Sequence, residues 1–170
     1  MTFAPLVVAA VVSAPSPELL RLTRTYVQSL AAPPERVLPL LTPLGERSWA
    51  PGWEPEVRWQ PPDGGVGTLF VIRHPGESET VWLLDTFDAS IGRVHYVHVT
   101  PGSDVTEIDI QLRPGAEKGT RAEVRYTWTA LSEAGNAKVR HHTPEAFVHS
   151  MQSWERQLNH YLQTGHRLEH

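Results

Sequence analysis

Five turn-forming clusters, PPDGG, HPGES, DASIG, TPGSD and RPGAEKG, divide the stretch 57–131 into short pieces. Glycine supplies the left-handed backbone of tight turns and proline fixes φ, so no long helix can cross these points. The pieces between them (57–60, 67–73, 80–87, 93–100, 105–113 and 121–131) are short and rich in alternating apolar and β-branched residues. The pattern predicts about six strands joined by hairpins, which makes an antiparallel meander.

The later strands show their faces. Thr106, Ile108, Ile110 and Leu112 alternate with Glu107, Asp109, Gln111 and Arg113, and Ala122, Val124, Tyr126 and Trp128 alternate in the same way with polar neighbours. Matching faces set Ile110 opposite Val124 and Asp109 opposite Arg125. Upstream, 21–31 alternates as a further strand, Pro34 to Thr42 reads as a short helix with proline in its first turn, and PLGERSWAPGWEP reads as a second short helix or turn. Segments 67–73 and 80–87 are apolar on both faces, so their outer side is expected to be covered by residues 1–17 or by a second subunit in a homodimer.

After the connecting stretch SEAGNAKVRHH, Thr143-Pro144-Glu145 has the chemistry of a helix start: a hydroxyl cap, a proline that needs no N–H partner, and an acid at the positive end of the dipole. Phe147, Met151, Trp154, Leu158 and Tyr161/Leu162 then form one apolar stripe on a helix of ~30 Å, ended by Gly165. A single greasy face on a single long helix must pack on the sheet. The expected fold class is therefore α+β, with about seven antiparallel strands curved around a C-terminal helix.

A chain of 170 residues fits one domain. The expected division is an apolar extension at 1–17, one domain at 18–165, and a tail at 166–170 whose Leu-Glu-His resembles the start of a vector-derived tag. No cysteine is present, which excludes disulfides and thiolate chemistry and suits a cytoplasmic setting. A net charge of -4 with no basic stripe argues against nucleic acid as a partner. The apolar run 5–12 is far short of the ~20 residues that span a bilayer, so membrane insertion is not expected.

The order strand, two short helices, six strands, long helix resembles the helix-grip layout of the START, polyketide-cyclase and birch-pollen-allergen (SRPBCC) superfamily. PLGERSWAPGWEP at 43–55, ALSEAGNA at 130–137 and SWERQLNHYL at 153–162 look like a bacterial branch of it with largely unassigned function. The resemblance runs from about Leu20 to Gly165 and implies a cavity between sheet and helix for a small apolar molecule. It carries over no catalytic motif, because carriers, cyclases and co-chaperones share the fold.

The six tryptophans supply the surface such a cavity needs. Trp49, Trp53, Trp128 and Trp154 are candidate walls, with Phe70, Tyr96, Ile108, Ile110, Tyr126, Phe147 and Met151 from the inner sheet face and helix stripe; core packing would use the same residues. Trp82 falls near the same gap. Among the nine histidines, His141 and His142 are adjacent, His95 and His98 point to opposite faces, and His149 and His160 are three turns apart, so no metal site is expected. Parity turns His98 inward, as the candidate acid or base. Glu46 and Arg47 are expected to pair with each other. No phosphate loop or nucleophile elbow is present, and no cofactor is expected. Three functions follow as alternatives: a binder of an apolar small molecule, a cyclase or dehydratase using His98, and a co-chaperone-like interaction module.

Overall fold

The computed structural model describes residues 18–73, 76 and 78–168. The expected role of residues 1–17 as a docked cover lies outside the described residues. Strand β1 (Arg21–Leu30) leads into α1 (Pro34–Val37), a 3-10 turn (Leu38–Leu41) and α2 (Pro43–Glu46). The meander follows as β2 (Glu56–Trp59), β3 (Leu69–Ile72), β4 (Thr80–Asp88), β5 (Arg93–Thr100), β6 (Asp104–Pro114) and β7 (Thr120–Ala130). Two helices end the chain, α3 (Glu133–Arg140) and α4 (Pro144–Thr164).

The sheet has seven strands in the order β1-β7-β6-β5-β4-β3-β2, with every neighbouring pair antiparallel. The register between β6 and β7 sets Ile110 opposite Val124 and Asp109 opposite Arg125, as alternation requires. Asp109 also accepts from Arg93, so one carboxylate joins three strands on the outer face. Register shifts in β2–β3 and at Leu84/Thr86 in β4–β5 mark bulges, which bend a sheet.

Helix α4 begins as its sequence dictates: Thr143 accepts from the Ala146 N–H, and Gly165 closes the other end at φ 73°. Phe147, Met151, Leu158 and Leu162 are buried. The helix also solves an edge problem. Strand β1 ends the sheet, and an unpaired edge exposes backbone groups that would recruit another strand. Glu155 of α4 accepts from the Ser29 N–H at 2.8 Å, while Asn159 accepts from the Ala31 N–H at 2.8 Å and donates to the Ser29 carbonyl at 2.9 Å. Inside, Gln28 donates to the Met151 carbonyl at 3.1 Å.

Helix α3 corrects the reading of 132–142 as a mere connection. Ser132 caps it by accepting from Gly135 N–H. A Cβ at Gly135 would lie 1.9 Å from the Ser103 carbonyl oxygen, so the poor helix former is required by close approach to the β5–β6 turn. Asn136, equally poor for a helix, accepts from the Leu20 N–H and donates to the Glu18 carbonyl, fixing the entry into β1. On the outer face Val71 is buried while Leu83 is exposed.

Candidate functional site: a two-chambered cavity

Between the concave sheet face and α4 lie two adjoining chambers, of about 280 Å³ and 250 Å³. Tyr126 from β7 and Ser150 and Met151 from α4 line both and form the partition.

The first chamber is aromatic with one acid. Trp53, Trp82, Tyr96 and Trp154 form its walls, Ile108 and Ile110 its floor, and Ser153 and Gln157 its polar margin. The rings hold one another: Trp53 meets Trp82 edge-on at 5.2 Å, and Phe70 stacks behind Trp82 at 5.6 Å. Two of the three indole donors are spent on the protein, Trp53 to the Pro43 carbonyl at 2.9 Å and Trp82 to Thr80 at 2.8 Å. The N–H groups of these two rings therefore make no demand on a ligand.

Glu46, the last residue of α2, joins this lining. The short helix is set by Thr42, which accepts from the Gly45 N–H, and by the tight packing of Gly45 on the Pro39 carbonyl. The expected ion pair with Arg47 does not form; Arg47 reaches outward to Glu54 at 3.3 Å. Consecutive residues on a helix face different directions, so sequence adjacency does not make a pair. Among the described residues Glu46 has no hydrogen-bond partner and no counter-ion, and burial pushes its pKa up to about 8. Tyr96 donates to the Leu41 carbonyl at 2.7 Å and so does not serve it. Burial, and secondarily the nearby Glu46, raise the Tyr96 and Tyr126 phenols above the ordinary tyrosine range.

The second chamber is more polar. His98, Thr106, Asp104, Lys138 and His142 line one side, Trp128 and Phe147 the other. His98 does point inward, and its ring stacks on Trp82; His142 stacks on Trp128 with centroids 4.1 Å apart. Among the described residues His98 Nδ1 and His142 Nε2 are buried without a hydrogen-bond partner. Burial lowers the His98 pKa to about 4 and also lowers that of His142, so both rings are neutral near pH 7. Asp104 is 1% exposed and accepts from Lys138 Nζ at 2.8 Å and Ser103 at 2.8 Å. Its burial favours the neutral acid, but these bonds outweigh that and hold its pKa below the ordinary range.

The sequence-derived candidates therefore fall into three places. Trp53, Tyr96, Ile108, Ile110 and Trp154 line the first chamber, His98, Trp128 and Phe147 the second, and Tyr126 and Met151 both. Trp49 and Phe70, each 0% exposed, lie one layer behind: Trp49 under Trp154 at 5.6 Å, its N–H bound to the Leu40 carbonyl, and Phe70 behind Trp82. Asp104, Lys138 and His142 are site residues that the sequence pattern does not assign to the cavity. Asp104 and Lys138 carry no local signal, since their partnership joins elements 34 residues apart. Among the described residues no group of three or more His, Asp or Glu is placed to hold a metal ion, and no helix is long and apolar enough to cross a membrane.

A curved seven-stranded sheet gripping one long helix is an architecture shared with solved structures. Truncated norcoclaurine synthase from Thalictrum flavum superposes with a TM-score of 0.65 at 14% identity, over 91% of this chain and 99% of that one. The chain has the helix-grip fold. The same birch-pollen-allergen-like architecture links it to Ara h 8.0201 (TM-score 0.60, 16% identity, 85% and 99% covered) and to the major latex-like protein 151 of Panax ginseng (0.63, 11%, 84% and 97%). No family model and no curated protein matches this helix-grip chain. At these identities the likeness is one of fold, and the site must be argued from its own residues.

Proposed function

We propose that the protein binds a small molecule with a largely apolar, ring-bearing body in the divided cavity. One observation carries this reading: the gap between sheet and α4 is open and walled mainly by rings and aliphatic side chains, of which Trp53, Trp82 and Tyr96 spend their polar atoms on the protein. Each chamber sits at the lower edge of the roughly 300–1,000 Å³ usual for ligand pockets, and joined across Met151 they enter that range. Burial of apolar ligand surface, about 25 cal/mol per Å² before ordering costs, supplies the affinity. An open gap favours this over an interaction module, which needs no cavity.

The acid-base reading centred on His98 gains less support. The ring has no hydrogen-bond partner to orient it among the described residues, and a pKa of about 4 makes it a weak base at neutral pH. Native mass spectrometry of protein purified from its own host tests the binding reading. A retained adduct released on denaturation is expected; an adduct-free protein that also leaves its tryptophan fluorescence unchanged with apolar ring compounds overturns it.

A further inference from the structure

The first chamber contains a charge problem that an apolar ligand alone does not resolve. Among the described residues Glu46 is the single carboxyl in the chamber's lining, and that lining includes no Lys, Arg or His. Glu46 is 9% exposed, and its carboxyl is unpartnered among the described residues. Burying a carboxyl without a partner is costly, and a protein that only needed an apolar wall would be more stable with Leu or Met there. Around it stand Trp53, Trp82 and Trp154, with Tyr96 and Tyr126 beyond. Aromatic faces attract cations through their quadrupoles, most strongly where water is excluded.

We infer that the first chamber is a site for an organic cation: a protonated amine that pairs with Glu46 while the tryptophan rings enclose its apolar body. The inference rests on the cavity reading above and adds the ligand's charge to it. An anion is disfavoured by the same geometry, which offers it neutral donors such as Ser150, Ser153 and Gln157 but no positive charge, and sets it beside Glu46. The ionisable groups facing Glu46 in the chamber are Tyr96 and Tyr126, both held in the neutral form. In the empty chamber at pH 7 the carboxyl is mostly protonated. When an ammonium from solution binds, Glu46 ionises to pair with it, and the displaced proton leaves to solvent.

The test uses 4-phenylbutylamine against 4-phenylbutan-1-ol, which share ring and chain and differ in charge. Both are titrated into the wild type and Glu46→Gln, read by tryptophan fluorescence and by calorimetry at pH 7 in two buffers of different ionisation enthalpy. The amine should bind the wild type at least about tenfold tighter than the alcohol and release a proton. E46Q should lose that preference while keeping the alcohol within about twofold. Equal affinities in the wild type, binding without proton release, or a preference that survives in E46Q overturns the cation assignment and leaves the cavity reading intact. Failure of both probes to bind the wild type, in a protein that also carries no native adduct, overturns both readings. The wild-type preference and proton release decide the matter even if E46Q does not fold.

Discussion

The Trp82 indole stacks on the His98 imidazole, with ring centroids 4.0 Å apart and planes 22° from parallel. The stack joins a wall of the first chamber to a wall of the second. It also gives His98 an apolar neighbour on one face, and Asp104, Lys138 and His142 are the charged or titratable groups that influence it.

A histidine whose pKa drops from 6.5 to about 4 on folding binds fewer protons in the native state than in the unfolded one. Its linkage therefore destabilises the fold as pH falls from 6.5 toward 4, by at most about 3 kcal/mol, and leaves it unaffected above that window. His142 acts in the same direction. Replacing His98 by Phe, which can keep the stack, should flatten the acid limb of the profile. Urea unfolding at half-unit steps between pH 4 and 7 checks this; an unchanged slope in H98F contradicts it.

Glu46 works against that slope. Its pKa rises from 4.5 to about 8, so the native state holds its proton more tightly, and stability is lost as pH climbs through this range. Glu46→Gln should raise stability by about 2–3 kcal/mol at pH 7 and have little effect at pH 4. A variant equally stable or weaker at pH 7, measured by urea midpoint at constant m-value, counts against an unpaired buried carboxyl.

Lys138 is half-exposed, whereas the Asp104 carboxylate it binds is buried. Removing one partner strands the other, so Lys138→Met should cost about 2 kcal/mol, reduced from the usual buried-pair penalty because water can reach the site. The Asp104→Asn, Lys138→Met double variant should recover at least half of that loss. A double-mutant cycle by chemical denaturation reads the coupling.

Gly135→Ala should destabilise by about 2–3 kcal/mol, although alanine is the better helix former, because its methyl would collide with the Ser103 carbonyl. Thermal melting measures the sign directly.

Met151→Ala removes part of the partition between the chambers. The cost should be about 2–4 kcal/mol, and an apolar probe long enough to occupy both chambers should bind the variant tighter than a short one. Calorimetry with phenyl-substituted alkyl chains of increasing length would show the gain; a length profile identical to the wild type would mean that Met151 does not divide the space.

Alternation of apolar and polar side chains makes much of this fold legible in the sequence. The β6–β7 register, including Asp109 opposite Arg125, follows from side-chain parity, and so does the inward turn of His98. Parity fails where both faces are apolar: Phe70 and Trp82 lie in strands whose neighbours Val71 and Val81 are equally greasy, and alternation does not say that Phe70, paired with Trp82 in the register, stacks a layer behind it. Helix α3 is hidden because Gly135 and Asn136 answer to tertiary contacts against local propensity. The isolation of Glu46 is masked by its neighbour Arg47, an obvious partner that the backbone turns away from it.

The pairing of β1 with β7 has a consequence for how the chain is made. Arg21 lies opposite Thr129 and Leu30 opposite Thr120, so β1 must wait for a partner synthesised about a hundred residues later. At roughly 5–20 residues per second the delay is on the order of ten seconds, during which β1 has neither its sheet partner nor the α4 side chains that later cover its edge. The nascent chain is then most exposed to adventitious strand pairing along Arg21–Leu30, and the arginines and hydroxyls on that strand are its protection.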